Sequence, residues 1–279
     1  MKKINKPIIN PDFEQILSSV MTKLPQSLLI SGEPGVGLTT IAKHIAGIYG
    51  IVPTIIYPEK DEIIDIEKGF IGIDIIRRLY NETKTINVDK RIIIIDYAER
   101  MTIQSQNAFL KLLEEPNNNL YFILLSHSTA KLLPTIISRV ENLNVKPITS
   151  EQSEYLLESM NIIDKTKRTQ LLFMATGLPA ELTRLTNDNN YFDKRVAMMQ
   201  DARTILQANL YQKLLLAHQY KDNRALALLL LLDAMKILNN SIIKNPQFDT
   251  INYIDRVLNT YQRIEANGNI RLCLAQMVI

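Results

Sequence analysis

Cysteine and histidine are scarce in this chain of 279 residues, which contains Cys273 and three dispersed histidines. A single cysteine can form neither an intrachain disulfide nor a zinc site built from cysteines. The histidines match no metal-ligand spacing such as HExxH. The sequence therefore predicts no metal centre, and the low cysteine count fits a reducing compartment.

Long apolar segments and a strong net charge are also lacking. The longest apolar run, residues 225–232, is far shorter than the roughly 20 residues that span a bilayer. The N-terminal residues have no apolar core and do not resemble a signal peptide. The formal net charge is only +3, so bulk charge does not predict a nucleic-acid-binding arm. We expect a soluble, cytoplasmic protein without a membrane partner.

Glycine is used sparingly, yet three of the nine glycines lie within six residues. The cluster follows an apolar segment predicted as a strand and precedes a predicted helix, which is the setting of the phosphate loop GxxxxGK[ST]. Glycines in such a loop let backbone N–H groups turn toward phosphate oxygens, and the helix N-terminus adds partial positive charge. The candidate nucleotide-binding residues of this loop are Gly32, Pro34, Gly35, Gly37, Leu38, Thr39 and Thr40.

The lysine position of this motif holds Leu38, whereas Thr39 stands where a hydroxyl contacts magnesium. The lysine is the cation that reaches the β and γ phosphates, and leucine supplies no charge. We interpret the segment as a degenerate phosphate loop that does not support hydrolysis. Two alternatives stay open, namely a plain strand–helix turn and a loop that binds nucleotide passively.

The isoleucine-rich segment 91–96 ends in Asp96 and predicts a Walker B strand, whose carboxylate faces magnesium. The following residue, where many ATPases carry the glutamate that activates water, is Tyr97. A tyrosine cannot act as a carboxylate base at neutral pH. We expect Glu99 to be a surface residue rather than a displaced base. The loss of two independent catalytic positions argues against an ATPase.

Apolar strands alternate with helices in the first half of the chain, which predicts an α/β domain with a parallel sheet covered on both faces. The predicted strands are 27–31, 54–57, 91–96 and 120–125, and the helices are 11–25, 39–47, 73–83 and one that runs to 115 with Thr102 as its N-cap. After residue 147 only helical patterns follow. The sequence therefore predicts three domains, 1–148, 149–191 and 192–279.

Several motifs carry a specific resemblance to a known family. The chain reads NAFLKLLEEP at 107–116 and LLPTIISRV at 132–140, with the Walker B segment before them and the apolar strand 122–125 between them. These motifs resemble the delta-prime family of the bacterial DNA polymerase III clamp loader, within the AAA+ clamp-loader proteins. The resemblance implies an AAA+ P-loop domain, a small helical lid and a C-terminal helical collar through which subunits associate.

The sequence departs from that family's pattern at positions that sense nucleotide. His127 stands at the sensor-1 position, and Pro179 lies near the position of the sensor-2 arginine. The family's SRC motif ends here in Val140, and the four cysteines that hold zinc in many relatives are missing. The resemblance therefore implies no zinc and no cofactor of the chain's own, with residual binding of ATP and magnesium left open.

The element Ser138-Arg139 still matches the family's motif and suggests how the chain takes part in ATP hydrolysis. In clamp loaders, subunits form a hetero-pentameric ring with nucleotides at the interfaces. The resemblance implies that Arg139, with Ser138, acts in trans as an arginine finger on a neighbour's nucleotide. The chain would then be a non-catalytic, stator-like subunit that helps to load the sliding clamp on primer-template DNA, with helix 104–115 near the DNA. Without the motif, Arg139 is interpreted as a surface arginine or an intrachain ion pair.

Two other functions compete with this interpretation. One is an active ATPase of the gamma type, which ATP turnover by the purified chain would support. The other is a free-standing DNA-binding AAA+ protein, which a salt-dependent gel shift would support. Leu38 and Tyr97 argue against the first, and the nearly neutral net charge argues against the second.

Overall fold

The computed structural model describes residues 6–66, 68–83, 89–114, 119–244 and 248–279, the side chains of 244–250 excepted. The chain divides into two compact units, Met1–Arg184 and Leu185–Ile279. The predicted boundary at 148 has no counterpart in this division, and the one at 191 lies inside the helix Asn189–Gln207. The division into three domains remains a prediction.

The first unit is built around a parallel sheet. Its strands are β1 Ser27–Gly32, β2 Thr54–Ile56, β5 Arg91–Ile95, β6 Leu120–Ser126 and β7 Glu141–Val145, and β3 Glu59–Lys60 pairs with β4 Ile63–Ile64 in a separate hairpin. The strand order is β2-β5-β6-β1-β7, and all neighbours are parallel. The predicted parallel sheet is therefore confirmed, with β7 as an additional edge strand.

Helices cover both faces of this sheet. The helices of the chain are α1 Pro11–Thr22, α2 Leu38–Ile48, α3 Ile73–Thr83, α4 Ile103–Glu114, α5 Pro134–Ile137, α6 Ser150–Ser159, α7 Lys165–Ala175, α8 Pro179–Asn187, α9 Asn189–Gln207, α10 Leu210–Gln219, α11 Arg224–Lys244, α12 Phe248–Glu265 and α13 Ile270–Val278. Ile92 and Ile94 of β5 pack with α1 and α2, whereas Ile93 and Ile95 pack with α3 and α4. The unbroken isoleucine run thus reflects burial on both faces.

The helices α6 to α8 follow the sheet and begin with a well-defined cap. Thr149 accepts a hydrogen bond from the backbone N–H of Gln152, and the Gln152 side chain accepts one from the backbone N–H of Thr149. This capping box fixes where α6 starts. The turn before α8 requires Gly177, because its φ is +77° and a Cβ there would lie 2.6 Å from the carbonyl oxygen of Ile148.

The second unit is a bundle of helices whose core is formed by α9 to α13. The segment Arg224–Ile243 of α11 is long and apolar enough, by length and composition alone, to cross a membrane. This segment is longer than the uninterrupted apolar run 225–232, from which the sequence predicted no membrane span. In the bundle, however, Asp233 of α11 is fully buried and forms an ion pair with Arg195 of α9, at 2.7 and 3.0 Å. This charged pair and the buried Leu230 and Leu231 place one face of α11 in the core of the bundle.

Candidate functional site

The phosphate loop connects the end of β1 to the start of α2 and requires glycine at specific positions. The φ angles of Gly35 and Gly37 are +93° and +94°, a region that residues with a side chain rarely adopt. A Cβ on Gly32 would lie 2.9 Å from the carbonyl oxygen of Val145 in β7. The clustering of scarce glycines therefore reflects the loop's backbone geometry. The candidate residues Pro34 and Thr40 are exposed on the same loop and helix start.

Leu38, at the lysine position, is part of the hydrophobic core. Its side chain is 3% exposed and packs with Val36 and Ile41 on the face of the sheet that carries α1 and α2. A side chain held in this core cannot supply a cation to a phosphate. The loop therefore keeps the backbone features of a phosphate site and lacks its fixed positive charge.

Thr39 of the phosphate loop and Asp96 of the Walker B strand lie close together. Magnesium binding by these two motifs requires this arrangement. The hydroxyl of Thr39 donates to Oδ2 of Asp96 at 2.9 Å, and the backbone N–H of Tyr97 donates to Oδ1 at 3.0 Å. Burial raises the pKa of Asp96, and these two hydrogen bonds oppose the shift. Hydroxyl and carboxylate oxygens suit magnesium, which takes few protein ligands. In the described part of the chain, no group of three metal-binding side chains occurs.

The residues after Asp96 do not form an ordinary hydrolytic site. Burial raises the pKa of the Tyr97 phenol, so Tyr97 stays protonated at neutral pH. Glu99, expected on the surface, is in fact partly buried, and its Oε2 is buried without a hydrogen-bond partner among the described residues. Its charge adds to the effect of burial in raising the pKa of Asp96. Glu99 therefore lies near the Walker B carboxylate and is only partly exposed.

His127 follows β6 and lies beside the phosphate loop, as a sensor-1 residue would. Its Nδ1 is 2.8 Å from the carbonyl oxygen of Gly32. A carbonyl oxygen only accepts, so Nδ1 carries the proton and Nε2 remains as the other ring nitrogen. The ring also packs edge-on against Tyr97, with the centroids 5.3 Å apart. His127 borders an open cavity of about 370 Å³ that Ser31, Glu33, Thr129, Asn144 and Lys146 also line.

The start of α8 packs directly on the phosphate loop. The backbone N–H groups of Ala180 and Glu181 donate to the carbonyl oxygen of Gly35, at 2.9 and 3.2 Å. Pro179 is the first residue of this helix and brings no positive charge. Arg184, which our sequence analysis did not single out, lies close enough for its charge to lower the pKa of Tyr97. No sequence signal identifies it, because its closeness to Tyr97 depends on how α8 packs on the phosphate loop.

Arg139 and Ser138 lie just before the start of β7, at the opposite end of the strands from the phosphate loop. Nη2 of Arg139 is 2.8 Å from Oε1 of Glu114, and Nη1 donates to the carbonyl oxygen of Thr135 at 3.0 Å. The Arg139 side chain remains 38% exposed. Ser138 is exposed, and its hydroxyl also donates to Thr135. Arg139 is therefore both a surface arginine and a member of an intrachain ion pair.

The strand register separates Arg139 from the phosphate loop. Leu28 pairs with Glu141, and Gly32 pairs with Val145. Arg139 therefore precedes the amino end of β7, whereas the phosphate loop follows the carboxyl end of β1. A five-residue strand spans about 17 Å. The structure brings together the loop, Asp96 and His127, and it keeps Arg139 at least a strand length away from them.

Gln106 of α4 links that helix to the segment before Arg139. Its Nε2 donates to the carbonyl oxygens of Met101 and Lys131, both at 3.1 Å, and its Oε1 accepts from the backbone N–H of Leu133 at 2.7 Å. The side chain is almost fully buried. Three backbone groups therefore depend on one amide for their hydrogen bonds.

Replacing Gln106 by alanine should destabilise the first unit by about 2–4 kcal/mol, because it leaves buried backbone groups unpaired and opens a cavity. The measurement is the urea midpoint of the isolated chain, followed by circular dichroism. Gln104→Ala is the matched control, since Gln104 is exposed on the same helix, and it should change stability by less than about 0.5 kcal/mol. Equal midpoints for the two variants would show that the Gln106 hydrogen bonds do not support this segment.

Comparisons with known proteins agree with the motifs. A family model described as DNA polymerase III, delta subunit, matches residues 55–149. The delta-prime subunit of DNA polymerase III from Haemophilus influenzae is 32% identical over 126 residues, which cover 44% of this chain and 38% of that protein. The delta-prime subunit from Bacillus subtilis is 31% identical over 111 residues, 40% of this chain and 33% of that protein. The chain thus matches little more than a third of the length of these relatives.

A solved structure extends the likeness of the fold to the whole chain. The DNA polymerase III gamma-subunit-related protein from Thermotoga maritima superposes with a TM-score of 0.54 at 20% identity, covering 95% of this chain and 96% of that one. This likeness confirms the predicted AAA+ α/β fold and concerns the fold alone. Residues 115 and 116 of the NAFLKLLEEP motif lie outside the described residues. The family match at residues 55–149 and the two delta-prime relatives support the resemblance to the delta-prime family of DNA polymerase III clamp-loader proteins that the motifs predicted.

Proposed function

We propose that this chain is a non-catalytic subunit of a replicative clamp loader and that Arg139 acts in trans on ATP bound by a neighbouring subunit. One observation carries the proposal. Arg139 lies at the amino edge of the sheet, and the chain's own phosphate loop lies at the carboxyl edge. The guanidinium cannot reach the chain's own nucleotide position. An exposed arginine in that place can stabilise phosphate charge only on another molecule.

The chain's own site supports a non-catalytic role. Phosphoryl transfer needs a cation at the β and γ phosphates and a group that orients the attacking water. Leu38 is buried in the core, and Tyr97 is a phenol whose pKa is raised by burial. Neither residue can perform those tasks.

Passive nucleotide binding remains compatible with the residues that are present. Thr39 and Asp96 would hold magnesium, and the glycine loop would supply N–H donors to phosphates. Bound magnesium would neutralise phosphate charge. The α8 contact to Gly35 covers the loop, so we expect weak binding of ATP. We propose no zinc and no obligatory cofactor.

The proposed partners are the other subunits of a hetero-pentameric ring, the sliding clamp and primer-template DNA. The delta-prime names of two relatives support a place among clamp-loader subunits. A bacterial replication assembly implies a cytoplasmic location. The polar exposed positions of α4, such as Gln104, Asn107 and Lys111, suit the proposed position of this helix near DNA.

The purified chain should show no ATP turnover above a buffer blank, because both catalytic positions are lost. The Leu38→Lys variant should also remain inactive, since Tyr97 still occupies the position of the water-activating residue. The measurement is phosphate release from Mg·ATP, with a phosphate-loop ATPase of the same ring as the positive control. Thermal melts with and without Mg·ATP report binding separately, because a ligand at 100 times its Kd adds about 2.7 kcal/mol of stability. Turnover by the wild-type chain would refute the non-catalytic role.

An active gamma-type ATPase is the second candidate, and one observation favours it. The buried, unpaired oxygen of Glu99 lies near the Walker B carboxylate, where a displaced base could activate water. If the chain turns over ATP and Glu99→Gln abolishes that turnover, this second function is correct. A free-standing DNA-binding role is tested in the same preparation by a gel shift across salt concentrations.

A further inference from the structure

The carboxylate of Glu114 lies at a helix position where a negative charge lowers the stability of the helix. Glu114 is the last residue of α4, and the C-terminus of a helix carries partial negative charge. The carboxylate nevertheless lies 2.8 Å from Nη2 of Arg139. The pair is partly exposed, with the two side chains 49% and 38% accessible. Exposed pairs of this kind add little to folding stability, so this contact points to a different role.

The guanidinium of Arg139 is held from two sides. Glu114 binds Nη2 from α4, and the carbonyl oxygen of Thr135 binds Nη1 from α5. The Ser138 hydroxyl lies 3.5 Å from the same Nη1. A guanidinium has five N–H donors, so donors remain for a further acceptor. The side chain is oriented by these contacts and can still bind phosphate oxygens.

The backbones that carry this pair are themselves fixed. Phe109 and Leu113 of α4 are buried in the same core cluster as Ile136 of α5. Gln106 adds hydrogen bonds from α4 to the segment that leads into α5. The distance between the two ends of the ion pair is therefore set by packing. Glu114 can act on Arg139 as a fixed support.

We propose that Glu114 is a positioning residue, which orients the Arg139 guanidinium before a neighbour's nucleotide arrives. The inference rests on the proposed trans role of Arg139 and specifies how that role is supported. A free arginine side chain has large rotamer freedom, and losing it on binding lowers the benefit of each contact. A guanidinium held in place before binding avoids that loss at the moment of reaction.

The test is steady-state ATPase of a reconstituted complex in which only the site adjoining this chain can hydrolyse ATP, with kcat and KM for ATP measured separately. Glu114→Ala should lower kcat about tenfold with little change in KM. The substitution disturbs the orientation of the Arg139 guanidinium in the transition state and leaves ATP binding in the ground state nearly unchanged. Glu114→Gln should retain most of kcat, since the amide oxygen still accepts a hydrogen bond from Nη2. Glu141→Ala is the control, because Glu141 is an exposed acid two residues after Arg139, and it should behave like the wild type.

A double variant separates this inference from the proposed function. Glu114→Ala combined with Arg139→Ala should be no slower than Arg139→Ala alone, because both changes remove one coupled element. If Arg139→Ala lowers kcat but Glu114→Ala leaves it unchanged or raises it, the positioning role is overturned and the arginine finger stands. A Glu114→Gln variant as slow as Glu114→Ala also overturns it. If Arg139→Ala itself has no effect, the proposed function fails.

Discussion

Replacing Arg139 by alanine should lower ATP turnover at the neighbouring site by roughly 10³–10⁵-fold, which is the usual worth of an arginine finger. The subunit should still fold and enter the complex, because a half-exposed ion pair contributes at most about 1 kcal/mol. Total ATPase of a ring with several sites should fall only in part. DNA-dependent clamp loading should fall much further, since it needs the sites to act together.

Two further variants sharpen this prediction. Arg139→Lys should rescue poorly, because an ammonium cannot span two phosphate oxygens as the planar guanidinium does. Arg77→Ala is the control, because Arg77 is an exposed arginine that also has an intrachain acidic partner, Asp74. It should leave ATPase and loading unchanged. Comparable activities for Arg139→Ala and Arg77→Ala, at equal incorporation, would show that Arg139 forms a surface ion pair and does not act on a neighbour's nucleotide.

Replacing Asp233 by alanine should destabilise the helical bundle of the second unit by about 3–5 kcal/mol. Arg195 is 3% exposed and makes two hydrogen bonds to this carboxylate. Removing Asp233 therefore leaves a buried guanidinium without the carboxylate that accepts these two hydrogen bonds. The measurement is the urea midpoint of the isolated chain. Asp255→Ala is the control, since Asp255 is exposed on α12, and it should stay within about 0.5 kcal/mol of the wild type.

The apolar double variant Arg195→Met with Asp233→Leu distinguishes charge burial from packing. A buried ion pair can be replaced by apolar residues at little cost, because its desolvation penalty is also removed. The double variant should therefore be more stable than Asp233→Ala alone. A double variant at least as unstable as the single one would mean that a change of side-chain shape, and not the loss of the ion pair, causes the destabilisation.

The parts of the fold that the sequence predicted are those with strong local signals. The isoleucine run of β5 and the apolar runs of β1 and β6 identify strands buried on both faces. The glycine cluster predicts the loop because only glycine fits the φ angles observed at Gly35 and Gly37. The position of Asp96 at the end of β5 is predicted because this acid directly follows the isoleucine run, and the strand comes after the phosphate loop in the chain. These signals together predict where the phosphate loop and the Walker B carboxylate meet.

Other features depend on contacts between distant segments. The edge strand β7 has alternating polar and buried apolar residues, with Leu143 and Val145 inside, and so lacks the continuous run of the central strands. The carboxylate of Glu99 is partly buried by the fold, and the closeness of Arg184 to Tyr97 depends on how α8 packs. The pairing of Glu114 with Arg139 joins two motifs through residues that lie 25 positions apart in the sequence. No local pattern in the sequence reports these contacts.

Turnover at one defined interface tests the central claim most directly. In a reconstituted complex, the lysines of all ATPase phosphate loops except the one adjoining this chain are replaced, so a single site can hydrolyse ATP. With the wild-type chain that site should turn over, and with Arg139→Ala its kcat should fall by roughly 10³-fold or more. Equal kcat values with the wild-type and Arg139→Ala chains, at matched incorporation, would contradict the claim that this subunit completes its neighbour's active site.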